Sequence, residues 1–211
     1  MFAALREKFG FRLHSFELAD VSNWDMAVLV ALLSTWSLIS NVGRLVGLFP
    51  VLLITGITVL MSIVGLRQRY PCPALRALGW TVFRMRFFLI AITSGLSAAF
   101  AVALVVRAAG INMVRDPAST AVLMVTIGPI VEELFFRGFL QPWIAGIIGA
   151  IPAVIVTAIC FAAIHGPVSL LQFSCFTVTG AAYGFLRLRS GSVAASALMH
   201  STYNFALLFI G

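Results

Sequence analysis

The chain is organised around one stretch, Gly128-Pro129-Ile130-Val131-Glu132-Glu133-Leu134-Phe135-Phe136-Arg137-Gly138. Within the apolar runs of the sequence, Glu132 and Glu133 are the only acidic residues and Arg137 is the only basic one. An ionisable side chain at membrane depth costs roughly 2.5–3.5 kcal/mol on insertion scales, and such side chains are retained mainly where they have a function. This stretch is therefore the first candidate for a functional site.

Composition predicts an all-α, polytopic membrane protein. Of the 211 residues, 61% are hydrophobic and 10% are charged. An apolar run of about 20 residues spans the hydrocarbon core as a helix, and several such runs nearly fill the chain, so residues 1–211 are predicted to form a single membrane domain. The net charge of +7 comes mainly from arginines between the apolar runs. That placement is typical of topology determinants and lipid anchors, so the expected partner is the bilayer and not nucleic acid.

The apolar runs predict about seven transmembrane helices, preceded by an amphipathic helix within residues 1–25 that lies on the membrane surface. The predicted spans are Met26–Val42, Leu45–Leu66, Phe87–Val106, Ser119–Glu133, Trp143–Ile164, Val168–Leu186 and Ser192–Ile210. The two sides of this arrangement carry ten and three lysines and arginines in their loops. Because positive charge favours the cytoplasmic side, the N-terminus is predicted to be cytoplasmic.

The two neighbouring glutamates are expected to have different roles. Neighbouring residues of a helix point about 100° apart, so the two carboxylates face different surroundings. Glu133 and Arg137 have the i, i+4 spacing of an intrahelical ion pair, with the acid on the N-terminal side. That pair leaves Glu132 without a partner in its own helix. An unpaired carboxylate in an apolar setting is suited to act as a general base, so Glu132 is predicted to be the base.

Two histidines in other apolar segments could complete a site with Glu132. His165 lies at the end of the fifth predicted span, and His200 in the seventh is followed four residues later by Asn204. Asn204 could orient His200 or stabilise an oxyanion. Glu132, His165 and His200 also make up a set that could bind Zn²⁺ with one coordination position open to water. The residues are compatible with both a zinc-dependent and a metal-free mechanism.

Three motifs carry a family resemblance. The run from Glu132-Glu133 to Arg137 matches EExxxR, the run from Phe161 to His165 matches FxxxH, and the run from His200 to Asn204 matches HxxxN. In this order, on separate apolar segments, they resemble the CPBP family, also called Abi. That family includes CAAX prenyl endopeptidases and bacteriocin-processing or self-immunity proteins. The resemblance covers about residues 119–208, the predicted catalytic core.

The resemblance implies an intramembrane endopeptidase that acts on a membrane-associated peptide or protein, either a prenylated CAAX type or a leader peptide. By motif position, Glu132 would activate water, and His165, His200 and Asn204 would complete the site. Glu133 and Arg137 would support it. The family is usually described as metalloproteases, and a metal-free glutamate–histidine mechanism has also been argued for it.

Two other classes of function stay open at the level of sequence. One is a non-proteolytic membrane binding or immunity protein, and the other is a proton-coupled transporter, because Glu/His relays occur in pumps. Other intramembrane protease chemistries fit poorly. No aspartate lies in an apolar span, and HExxH is absent.

The depth of His165 requires an interruption in the fifth span. His165 lies 22 residues after Trp143, which is about 33 Å along a straight helix and would place it at the far membrane surface. Glu132 and His200 are expected nearer the middle. We therefore predict that the glycine- and proline-containing stretch Gly138–Pro152 is not part of one straight spanning helix.

Overall fold

The computed structural model describes residue 76 and residues 78–111, 125–166 and 169–210. These residues form five continuous helical stretches and contain no strand, which confirms the all-α class. The second stretch comprises two α-helices joined by a π-helical segment. The elements are α1 (Met85–Ala108), α2 (Ile127–Glu133), the π-helical segment (Leu134–Leu140), α3 (Gln141–Ile148), α4 (Ala150–Ile164), α5 (Leu170–Ser190) and α6 (Val193–Ile210).

Among the described residues, α1 and α6 are long and apolar enough to cross a membrane. They correspond to the third and seventh predicted spans. The sixth predicted span is present as α5, but it continues to Ser190 instead of ending at Leu186. The first two predicted spans, the N-terminal surface helix and the start of the fourth span lie outside the described residues. The total of seven spans and the cytoplasmic N-terminus therefore stay predictions.

A stripe of small residues on α1 allows close packing against α6. The stripe recurs every four residues, so its members lie on one helix face, and all of them are buried: Ala91, Gly95, Ala99 and Ala103. A Cβ atom at Gly95 would lie 2.7 Å from the carbonyl oxygen of Met199. Small residues at helix interfaces let two backbones approach in this way, as they do between membrane helices. This pair supports one side of the bundle and fixes α6, which carries His200.

The fourth and fifth predicted spans have different boundaries in the structure. The fourth was expected to end near Glu133, but helical backbone continues without interruption to Ile148. Isolated glycines such as Gly138 and Gly146 cost a helix only about 1 kcal/mol each, so they do not end it. The break comes at Gly149, whose φ of 91° is favourable only for glycine. The predicted interruption between Trp143 and His165 is thus confirmed, and α4 is a separate helix of 15 residues.

The segment before α1, residues 78–84, connects three parts of the bundle. The backbone N–H of Val193 donates to the carbonyl of Gly79 at 2.9 Å, and the Ser192 hydroxyl donates to the carbonyl of Thr81. On its other side the segment lies against the π-helical segment, because a Cβ atom at Gly138 would be 2.7 Å from the carbonyl oxygen of Leu78. The segment therefore fixes the start of α6 against the middle of the helix that carries the two glutamates.

Candidate active site

Glu133 lies at the centre of a sealed polar cluster. Its side chain is completely buried at the end of α2, and its Oε1 atom accepts a hydrogen bond from Arg137 Nη1 at 3.0 Å. His200 Nδ1 lies 3.1 Å from the same oxygen. Because a carboxylate oxygen accepts, His200 carries a hydrogen on Nδ1. The i, i+4 ion pair expected from the sequence is present, and His200 on α6 joins it.

Both terminal nitrogens of the Arg137 guanidinium donate hydrogen bonds. Its side chain is fully buried, and its Nη2 atom donates to the carbonyl oxygen of Gly180 on α5 at 2.6 Å. The guanidinium carbon lies 4.7 Å from the centre of the Phe161 ring, within cation–π range. Arg137 therefore links the Glu133 carboxylate to α4 and α5.

Gln141, one helical turn after Arg137, makes a similar side-chain hydrogen bond to the backbone of α5. Its Nε2 atom donates to the carbonyl oxygen of Gly184 at 3.1 Å. The two donors and the two acceptors are each four residues apart along the chain, so α5 runs parallel to the helix that carries the donors. The absence of side chains at Gly180 and Gly184 allows this approach, since a Cβ atom at Gly184 would lie 3.0 Å from Gln141 Oε1.

Glu132 faces a different partner. Its Oε2 atom lies 3.7 Å from His165 Nε2, which is longer than a direct hydrogen bond. The Glu132 side chain is 15% exposed and the His165 side chain is 23% exposed, whereas Glu133 and Arg137 are both at 0%. Glu132 and His165 are thus the less buried pair, although the facing Glu132 Oε2 atom is itself buried and has no hydrogen-bond partner among the described residues.

The orientation of His165 is set by its own helix. His165 follows the last residue of α4, and its Nδ1 atom lies 2.7 Å from the carbonyl oxygen of Phe161. A carbonyl oxygen only accepts, so a hydrogen is on Nδ1, and in the neutral form of the ring Nε2 faces Glu132 with a lone pair. The ring also stacks on Phe176 of α5, with centroids 4.6 Å apart. Phe161, which the FxxxH motif includes, therefore contributes its backbone as well as its ring.

The two histidines do not meet at one carboxylate. His165 faces Glu132, whereas His200 is hydrogen-bonded to Glu133. Within the parts of the chain that the structure describes, no three His, Cys, Asp or Glu side chains converge as metal ligands do. In this arrangement the predicted set of Glu132, His165 and His200 does not fit a zinc ion. The zinc site stays a prediction.

Asn204 lies on α6 one turn after His200 and is partly buried. Three further residues near the cluster were not predicted from the sequence: Gln141, Tyr183 and Arg187. Tyr183 stacks on the His200 ring with centroids 4.6 Å apart and is 1% exposed. The i, i+4 spacing of Gln141 from Arg137 is a signal that could have identified it. Arg187 follows the predicted end of the sixth span at Leu186, yet it lies within α5, and its Nε atom donates to the carbonyl oxygen of Arg137 at 3.3 Å.

Comparison with known families agrees with the motifs. Residues 115–206 match the family model described as type II CAAX prenyl endopeptidase Rce1-like. This match confirms the family resemblance and includes every residue of the cluster described above. No curated protein and no solved structure gave a significant match. The match spans 92 of the 211 residues.

Proposed function

We propose that the chain is an intramembrane endopeptidase in which Glu132 activates the attacking water. The difference between the two glutamates carries this proposal. Glu132 is partly exposed and faces His165, whereas Glu133 is sealed and already bonded to Arg137 and His200. A general base must reach the water whose proton it removes. Of the two carboxylates, Glu132 meets this requirement.

The gap between Glu132 and His165 suits a bridging water molecule. Both facing atoms, Glu132 Oε2 and His165 Nε2, are acceptors, because the His165 hydrogen is held on Nδ1 by the carbonyl of Phe161. A water that donates one O–H to each acceptor would be fixed in place with an oxygen lone pair free to attack. His165 is then a residue that orients water, and its ring is kept in position by Phe161 and Phe176.

Hydrolysis would follow the usual general-base course. The water oxygen forms a bond to the carbon of the scissile carbonyl while its proton moves to Glu132. The tetrahedral intermediate then collapses, the C–N bond breaks, and Glu132 returns the proton to the leaving amine. His200 uses its Nδ1 hydrogen on Glu133, so its other ring nitrogen is an acceptor in the neutral form. We therefore assign stabilisation of the oxyanion to the amide of Asn204.

The Glu133–Arg137–His200 cluster would keep the proposed catalytic residues in their relative positions. Its three members come from α2, the π-helical segment and α6, and Arg137 extends it to Gly180 on α5. A charge-assisted network between helices is stable only when its members have partners, so it fixes how these helices pack. The proposed role of Glu133 and Arg137 is support and not contact with substrate.

The family match directs the choice of substrate. A type II CAAX prenyl endopeptidase acts on a prenylated C-terminal peptide, and we propose that this chain cleaves a membrane-associated peptide of that kind. The test uses the purified full chain in lipid nanodiscs with a farnesylated CAAX peptide and the same peptide without the lipid. Wild-type protein is expected to cleave the lipidated peptide, and Glu132→Gln to reduce the rate by about 10²–10⁴-fold.

The Gln side chain keeps the shape of Glu132, so the variant should fold, and its thermal unfolding in detergent serves as the control. A variant that cleaves at the wild-type rate would contradict the role of Glu132. Wild-type protein that is folded but cleaves neither peptide would contradict the endopeptidase function and favour the binding or immunity class. Metal analysis of the wild-type and His165→Ala proteins from the same preparations would decide whether zinc is bound.

A further inference from the structure

One carbonyl of the π-helical segment, that of Arg137, receives no hydrogen bond from a backbone N–H of its own helix. In a π-helix each backbone N–H donates to the carbonyl five residues earlier. The N–H of Gln141 follows this pattern and donates to the carbonyl of Phe136. The next carbonyl is that of Arg137, and its partner in the series is Pro142. Proline has no backbone N–H, so this hydrogen bond cannot form.

Arg187 of α5 supplies the missing donor. Its Nε atom donates to the carbonyl oxygen of Arg137 at 3.3 Å. The rest of its guanidinium lies directly against Gly79, where a Cβ atom would overlap Arg187 Nη2. Gly79 is itself fixed, because its carbonyl accepts the N–H of Val193. Arg187 is therefore held in one place between residues 78–84 and the π-helical segment.

The carbonyl that Arg187 binds belongs to the residue that organises the sealed cluster. At its side-chain end, Arg137 donates to Glu133 Oε1 and to the carbonyl of Gly180. Glu133 in turn holds His200. Arg137 is thus connected at its backbone carbonyl to Arg187 of α5 and at its side chain to Glu133 of α2 and Gly180 of α5. A shift of its backbone would move Glu133 and the neighbouring Glu132.

We propose that Arg187 is a positioning residue of the active site. It replaces the backbone donor that Pro142 cannot supply and so keeps the Arg137 side chain in hydrogen-bond contact with Glu133. π-Helical turns occur frequently at functional sites, where they redirect side chains at a cost in backbone hydrogen bonding. Here that cost falls on a single carbonyl, and a side chain from another helix compensates for it. The inference rests on the proposed function, since the site it positions is the proteolytic one.

A double-mutant cycle tests this role directly. Arg187→Met removes the donor, and we expect kcat to fall about 10- to 100-fold, because small misplacements outside the reacting groups have effects of that size. KM should change less than about twofold, since Arg187 does not contact substrate. Pro142→Ala returns a backbone N–H to the π-helical segment and should be close to wild type on its own. In the Arg187→Met background it should restore kcat about tenfold or more.

A control variant and a second measurement separate positioning from general destabilisation. Arg189→Met removes an exposed arginine two residues further along α5 and should leave kcat within about twofold of wild type. Thermal unfolding midpoints of the four proteins of the cycle, measured in detergent without substrate, should show the same rescue by Pro142→Ala.

Additive effects of the two substitutions on both kcat and the unfolding midpoint would overturn the proposal. So would a lower midpoint in Arg187→Met with an unchanged kcat, because Arg187 would then be structural only. A third outcome is that Pro142→Ala restores the unfolding midpoint of Arg187→Met but none of the proteins, including wild type, cleaves the peptide. The hydrogen-bond replacement would then be correct, and the proposed proteolytic function would be wrong.

Discussion

The two sides of the glutamate pair differ more than their adjacency in sequence suggests. On one side, Glu133, Arg137 and His200 form a cluster that is almost completely closed to solvent and joined by hydrogen bonds of 3.0 and 3.1 Å. On the other side, Glu132 and His165 face each other across 3.7 Å and are both partly exposed. One step of about 100° along a helix separates a residue that supports the bundle from one that can meet water.

This difference gives two identical side chains different surroundings. Glu133 has its Oε1 atom committed to two donors, so moving it would break contacts in three helical elements. The facing atoms of Glu132 and His165 are both acceptors and are too far apart for a direct hydrogen bond. Committed groups stabilise a fold, and a pair of uncommitted acceptors can bind and polarise a small molecule that donates to both.

The largest effect on stability is expected from Glu133→Gln. This substitution leaves the buried guanidinium of Arg137 without its counter-charge, and breaking a buried pair costs about 3–5 kcal/mol. The matched Glu132→Gln change breaks no direct hydrogen bond to His165 and should alter the free energy of unfolding by less than about 1 kcal/mol. Denaturant titration in mixed micelles would measure both. Equal losses for the two variants would remove the distinction between a sealed and an open carboxylate.

Histidine substitutions sharpen the same comparison at the level of activity. His165→Ala should reduce kcat about 100-fold through loss of the water-orienting acceptor, with little change in the unfolding midpoint. His200→Ala should reduce both kcat and the unfolding midpoint, because it removes a donor to Glu133 and the stacking partner of Tyr183. The two quantities are measured on the same preparations. A His165→Ala protein that is as destabilised as His200→Ala would contradict this assignment.

A smaller effect is expected from Gly184→Ala, which tests the packing around the sealed side. The added methyl group would lie 3.0 Å from both Gln141 Oε1 and Val154 Cγ1, so one neighbour must move. Overpacking of this kind typically costs 1–3 kcal/mol. Gly146→Ala, at an exposed position of α3, provides the control and should be neutral or stabilising. Gly184→Ala with unchanged stability would indicate that Gln141 and α4 adapt freely.

Much of this arrangement could be predicted from chemistry that is local in sequence. The i, i+4 spacing of Glu133 and Arg137 predicted their ion pair, and the anomaly of charge within apolar runs indicated the residues that form the buried cluster. The distance argument about His165 predicted a break after Trp143, which the structure has at Gly149. Each of these predictions depended only on helix geometry and on the cost of charge in an apolar setting.

What could not be predicted depends on contacts between distant segments. The π-helical segment has no simple sequence signature, so the continuation of the helix from Glu133 to Ile148 was missed. Which glutamate each histidine would face depends on how α4 and α6 pack, and this pairing was not accessible from spacing within one helix. Arg187 was counted as a topology charge because it follows an apolar run. Its contact was missed because its acceptor, the carbonyl of Arg137, lies 50 residues earlier in the sequence.

The short length of α4 has a consequence for the depth of His165. Its 15 residues measure about 22 Å, whereas a bilayer has a hydrocarbon core of about 30 Å. A helix of this length that begins at one surface of the bilayer ends inside the hydrocarbon core. His165 follows its last residue, so the His165 ring would lie within the membrane and not at the opposite surface. Hydrolysis at the proposed site would then need a path for water into the helix bundle.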